Sequence, residues 1–190
     1  SGGAFPDTIR VRKKAGAEIL TINLEYTGSE VTTQFGEVIP AGTKIPFRFS
    51  RYEKTLDWHI RYYGYEPASD PFTNEAAFRK LKEKKPLYEE RTNTLAGRWW
   101  GSPAAGVPED EFATFATTQF TATPGRYRIT VTSDDGMRLY IDGKMLIDHW
   151  GIHEPTPDLV EVELSGEHKI EIEHFDAGGL GTLDFRIERL

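Results

Sequence analysis

Carboxylates and imidazoles are the side chains of widest chemical reach in this sequence, because no cysteine is present to serve as nucleophile or thiolate ligand. Four acids, Asp142, Asp148, Glu154 and Asp158, follow one another closely. Glycoside hydrolysis needs two carboxyl groups about 5 to 10 Å apart across a cleft, and these four carry no pattern that assigns such a pair. His149 and His153 have the spacing of a helical zinc site, yet Gly151 between them and Pro155 after them oppose a helix. His168 and His174 share the face of Ile170 and Ile172, so they read as satisfied or rim histidines of a β core. No Gly-x-Ser-x-Gly, phosphate-cradling glycine loop or dinucleotide fingerprint occurs. Intrinsic catalysis is therefore not expected. Asp134-Asp135-Gly136 reads on composition as a β-turn. The adjacent Trp99 and Trp100 have two readings, rings packed over the end of a β core or rings presented for stacking on a sugar.

The bulk properties narrow the partners. A net charge of −7 and a pI near 5.3 repel phosphate backbones, which excludes nucleic acid. The basic run Lys80 to Lys85 is interrupted by Leu81 and Glu83 and reads as a solvated helix face. No apolar stretch approaches the roughly 20 residues of a spanning helix, so membrane insertion is not expected. The start Ser1-Gly2-Gly3 has neither the charged nor the apolar region of a signal peptide, and the chain reads as a piece of a longer one.

The elements that must position these residues are strands. From Glu18 to Tyr26, Leu20, Ile22, Leu24 and Tyr26 recur at period two, and Gly28, Gly36, Pro40, Gly42 and Pro46 then separate short runs such as Val31 to Phe35. Trp58 to Tyr65 is another strand. Asp70-Pro71 and Thr73 or Asn74 start a helix with Ala77, Phe78 and Leu81 as its apolar stripe, and Pro86 stops it. Residues 91–111, rich in Gly and Pro, form an ordered loop around one short strand. Beyond it the sets Tyr127/Ile129/Val131, Val160/Val162/Leu164 and Leu183/Phe185/Ile187 alternate with polar residues. Asp142-Gly143 makes a hairpin turn between Leu139-Tyr140-Ile141 and Met145-Leu146-Ile147. The expected fold class is all-β, an antiparallel sandwich or barrel with one short helix. Its core should hold Tyr127, Ile129, Val131, Leu139, Ile141, Ile170, Ile172, Leu183, Phe185 and Ile187, with Trp150 closing the edge against the Asp142-Gly143 hairpin.

The stretch Pro124 to Trp150, PGRYRITVTSDDGMRLYIDGKMLIDHW, carries a resemblance. A Pro-Gly turn and strand lead to Ser-Asp-Asp-Gly, an Arg-Leu-Tyr-Ile strand, Asp-Gly and a strand ending Ile-Asp-His-Trp. This order resembles the anthrax protective-antigen (PA-fourteen) domain family of bacterial toxins, glycosidases and yeast flocculin-type adhesins. The match continues through Gly151, His153, the strand start at Gly166 and the loop Phe175 to Gly179. It covers about residues 55 to 190, which divides the chain into a β-rich extension or end of a preceding module at 1–50 and the resembling domain at 51–190.

The resemblance implies an extracellular, secreted or cell-surface setting and, in lectin-like members, a calcium ion bridging protein and sugar. That ion would fall on Asp134 and Asp135. Successive side chains on a strand point to opposite faces, so two adjacent carboxylates share an ion only if a cis bond brings both to one side. Calcium takes six to eight oxygen ligands, and the loop from Asp176 to Gly181 would supply the rest. An Asn is expected in that loop of adhesin members, and here Asp176 is the nearest oxygen donor. The ligand-binding candidates are thus Asp134, Asp135, Gly178, Gly179 and Leu180, with Trp99 and Trp100. Three readings compete: a calcium-dependent carbohydrate-binding module of a larger adhesion-type protein, a spacer or docking domain among the other domains of that parent protein, and a small glycoside hydrolase.

Overall fold

The computed structural model describes residues 19–25, 29–32, 36, 38–50 and 56–190. The chain divides into two compact units, Ser1–Arg51 and Tyr52–Leu190. In the first, β1 (Ile19–Glu25) and β4 (Lys44–Ser50) pair antiparallel, as do β2 (Val31–Thr32) and β3 (Val38–Ile39). Tyr26 and Phe35 lie outside the described residues, and so do the side chains of Leu20, Ile22 and Leu24.

The second unit is built on one long antiparallel ribbon, β8 (Phe112–Asp134) against β11 (Thr156–Asp176). On one half of the ribbon the sheet extends through β9 (Met137–Ile141) and β10 (Lys144–His149) on the β11 side. On its β8 side it extends through β5 (Trp58–Gly64) and β6 (Tyr88–Thr92). On the other half β12 (Gly181–Arg189) pairs with β8, and β7 (Ala96–Trp99) pairs with β12. The sequence expectation of a turn at Pro124-Gly125 is corrected here. Both residues lie inside β8, opposite a register shift between Leu164 and Gly166 in β11. A bulge of this kind bends a strand pair without ending it.

The two halves face one another. All ten expected core residues are buried in one cluster with Trp58, Ile60, Phe112 and Phe120. Trp58 of one layer meets Phe185 of the other edge-on at 5.0 Å between ring centroids. The eight strands do not close on themselves, so the sandwich alternative holds and the barrel does not.

A second, smaller core sits on the outer face of the larger layer. Asp70 Oδ1 accepts from the N–H groups of Phe72 and Thr73, and Asn74 caps α1 (Glu75–Arg79) by accepting from Ala77 N. The helix is shorter than its pattern suggested, tightening into a 3-10 turn at Lys80–Glu83 before Pro86. Phe78 and Leu81 pack on Tyr63, Tyr65, Phe115 and Phe175. Trp150 belongs to this layer. Its ring meets Phe175 at 4.8 Å and Phe78 at 5.5 Å, Arg138 lies 4.4 Å over it, and its Nε1 donates to Pro71 O at 3.1 Å. The expected contact with the Asp142-Gly143 hairpin is therefore replaced by contact with the helix layer, because the strand pattern does not reveal which face a helix covers.

Candidate functional site

β8 ends at Asp134 and β9 begins at Met137, leaving only Asp135 and Gly136 to connect them. The Asp134–Asp135 peptide is cis. Gly136 is required by close approach: a Cβ there would stand 2.2 Å from Phe175 Cε1 and 3.0 Å from Gly151 N. Phe175 N donates to Gly136 O at 3.0 Å, which ties the connection to the end of β11.

Asp135 joins two further connections. Its Oδ1 accepts from His153 N at 3.2 Å and its Oδ2 from Ala177 N at 2.8 Å. The main-chain oxygen of Asp134 accepts from His174 Nε2 at 3.1 Å. Burial drives the fully enclosed His174 down to about 4, so its ring is neutral with the proton on Nε2. This is a core histidine, as the Ile170/Ile172 face suggested, but only Nε2 is satisfied and Nδ1 is buried without a partner.

Asp176 follows His174 on the same inward face, fully buried at the end of β11. Neither of its carboxylate oxygens has a hydrogen-bond partner. Its main-chain oxygen accepts from the Tyr65 hydroxyl at 3.1 Å. Burial, then Asp135, Asp110 and Asp134, push its pKa up to about 7. Asp134, only 6% exposed, is pushed up to about 6 by burial and then by Asp135 and Glu154. A Cβ at Gly181 would stand 2.8 Å from Asp176 Oδ1, so a glycine there leaves the carboxylate its space.

Asp110, absent from the sequence-based candidates, also belongs here. Its Oδ1 accepts from Gly179 N at 3.2 Å and so holds the tip of the Asp176–Gly181 loop. The only sequence signal was the acid run Glu109-Asp110-Glu111 within a Gly/Pro-rich loop.

The two tryptophans differ in burial. Trp99 lies edge-on to Phe112 at 5.8 Å and beside His174, packed against the core. Trp100 is 83% exposed, while Leu180 is half-buried and Gly178 and Gly179 are exposed.

His149 and His153 are not helical. Their rings stack at 3.8 Å, and His149 Nδ1 pairs with Asp158 at 2.7 Å. Asp142 is hydrogen-bonded with His168, and Asp148 forms an ion pair with Arg138, so both acids have local partners. No three His, Asp or Glu side chains of the described residues form a ready-made ligand set for a metal. Any cation at Asp134, Asp135 and Asp176 would need backbone carbonyls or ligand hydroxyls to complete its shell.

A family model described as the PA14 domain matches residues 70–188, well over half of the chain. The chain belongs to the PA14 domain family. Among solved structures, a PA14 sugar-binding domain from an RTX adhesin is 17% identical with a TM-score of 0.57, over 71% of this chain and 90% of that one. The A domain of epithelial adhesin 9 from Candida glabrata, in complex with Galb1-3GlcNAc, is 9% identical with a TM-score of 0.51, over 72% and 83%. An anti-sigma factor domain-containing protein from Clostridium clariflavum is 20% identical with a TM-score of 0.57, over 85% of this chain. This chain spans 54% of that protein and 43% of a second protein of the same description. At these identities the likeness is one of fold. No curated protein sequence matches. The PA14 match ends one residue before Arg189 and begins at Asp70, whose carboxylate caps the turn before α1.

Proposed function

We propose that this PA14 domain is a non-catalytic, calcium-dependent carbohydrate-binding module of a larger secreted or cell-surface protein. The observation that carries the reading is the Asp176 carboxylate, fully buried with both oxygens unpartnered and grouped with Asp134 and Asp135. Buried carboxylates without partners are destabilising when ionised, unless a cation neutralises them in place of a proton. The donor set is oxygen throughout, which suits calcium and disfavours soft metals. Asp134, Asp135 and Asp176 would hold the ion, aided by carbonyls of the 176–181 loop. Bound calcium would offer its open coordination positions to sugar hydroxyls.

The chain's own residues do the rest. Asp135 fixes both flanking loops through His153 N and Ala177 N, and Asp110 fixes Gly179. Trp100 follows Trp99, which pairs with Gly181 at the end of the 176–181 loop, and offers an exposed ring of the kind on which sugars stack. The sugar-binding description of the RTX adhesin domain and the glycan bound to epithelial adhesin 9 support the same reading. Among the described residues no helix is long and apolar enough to cross a membrane.

Isothermal titration of calcium into chelator-treated protein, followed by a glycan array with and without calcium, tests this. Calcium binding that Asp135→Asn weakens, with glycan retention that chelator abolishes, is expected. No binding at millimolar calcium would make the Asp134-Asp135 site structural and the domain a spacer.

A further inference from the structure

A recess of about 230 Å³ opens on the outer face of the larger layer, between the 3-10 turn after α1 and strands β5, β8, β9 and β11. No residue of the carboxylate site lines it. Its chemistry comes from Arg61, Arg79, Lys82, Phe115, Tyr140 and Glu173. Strand register assembles them: Arg61 lies opposite Phe115 and Phe115 opposite Glu173, while Thr117, Glu171 and Tyr140 form the neighbouring row.

The charges of this recess do not cancel. Glu173, with its side chain 8% exposed, is approached by Arg79 Nε and by Lys82 Nζ, each at 3.2 Å. The Tyr140 hydroxyl donates to Glu173 Oε2 at 3.1 Å and accepts from Arg79 Nη2 at 2.6 Å. That carboxylate is saturated by groups already in place. Glu171 is held by Lys169 at 2.8 Å. Arg61 remains, and beside it Lys82, whose ammonium uses one of its three N–H groups on Glu173. Arg61 Nη1 donates to the Lys82 carbonyl at 3.4 Å, Arg61 Nε is buried without a partner, and no carboxylate of the described residues pairs with this guanidinium.

A buried guanidinium N–H without an acceptor is costly, and an acceptor entering from solvent removes that cost. The guanidinium fork matches a planar carboxylate through two parallel bonds, and an adjacent ammonium adds attraction. The volume lies below the roughly 300 Å³ at which ordinary small-molecule sites begin, so it admits one ring and not a chain.

We propose that this recess is a second, calcium-independent site that receives the carboxylate of a single acidic sugar residue on Arg61 and Lys82. The identification of the ligand as a sugar rests on the carbohydrate-binding reading above; the carboxylate preference rests on the recess alone. The site would let one domain hold a glycan through neutral hydroxyls at Asp134 and Asp135 and through a uronate at a separate point.

The test is NMR titration of the whole chain with methyl β-glucuronide and with methyl β-glucoside, its neutral counterpart, in the presence of chelator. Millimolar binding of the glucuronide is expected, with shifts centred on Arg61, Lys82, Thr117 and Tyr140, and at least about tenfold weaker binding of the glucoside, the difference a charge-assisted pair makes. Arg61→Gln and, separately, the more exposed Lys82→Gln should each weaken the glucuronide several-fold. Asp135→Asn should leave it unchanged. Equal affinity for the two glycosides, no glucuronide shift at these residues, or full binding by both variants would overturn the proposal. Retention of glucose 6-sulfate in place of the glucuronide would overturn the carboxylate assignment. Glucuronide binding in a protein that ignores calcium would leave this site standing and remove the calcium reading; calcium-dependent glycan binding without glucuronide binding would do the reverse.

Discussion

At the scale of single residues, Asp176 has the clearest consequence. Its folded pKa of about 7 lies above the ordinary 3.8, so between those values the folded protein holds more protons than the unfolded chain. Stability contributed by that group is present at acidic pH and is lost as pH rises through the window. Asp134, raised to about 6, acts in the same sense, whereas His174, lowered to about 4, opposes both below 6.5. A difference measurement separates them. In chelator, urea denaturation of Asp176→Asn against the parent should shift in the variant's favour by on the order of 3 kcal/mol between about pH 4 and pH 8. A constant difference would mean that Asp176 bears no unbalanced charge. Gly136 gives a second prediction. Its Cβ would collide with Phe175, so Gly136→Ala should cost ~1–3 kcal/mol in the same assay, as overpacking does. The Asp-Asp-Gly motif was legible as a motif, but composition alone assigned its glycine to turn formation, and packing is what requires it.

Among the elements, the layer of α1 over the outer face of the sheet decides the role of Trp150. Its indole joins the helix residue Phe78, the strand residue Phe175 and the Arg138 guanidinium, and it donates to Pro71 O. Trp150→Ala should lose ~3 kcal/mol of unfolding free energy, the lower range for deleting a large packed aromatic. A variant that melts like the parent while losing ligand would give Trp150 a binding role instead. The helix, its cap at Asn74 and its stop before Pro86 were all readable from local signals. Its partner face was not, because capping and periodicity describe one element at a time.

For the molecule as a whole, the β8–β11 ribbon runs through both layers of the sandwich and ends at Asp134 and Asp176. An ion held at those residues would therefore be coupled to the cooperative unfolding of the entire unit. Calcium at about one hundred times its Kd should stabilise by ~2.7 kcal/mol, which for a domain of this size raises Tm by roughly 5–10 °C. The shift should shrink as pH falls below about 7, where Asp176 and then, near 6, Asp134 take up protons that compete with the cation. A calcium-induced rise in Tm that is the same at about pH 5 and pH 8 would place the ion away from these carboxylates.

Period-two alternation by itself determined the fold class and the core, since Ile129, Leu139, Ile172 and Phe185 are buried where their spacing puts them, and burial of one strand face follows from local geometry. The pair Asp134-Asp135 came from the family resemblance of the run Pro124 to Trp150, since composition alone reads Asp-Asp-Gly as a turn. Only the tertiary structure decided that Pro124-Gly125 bends a continuous strand, that Asp110 supports the Gly179 loop, and that Asp176 is buried without a partner. Each of these depends on groups far apart in the chain, and the desolvation that distinguishes Asp176 from any other aspartate exists only once the two layers have closed around it.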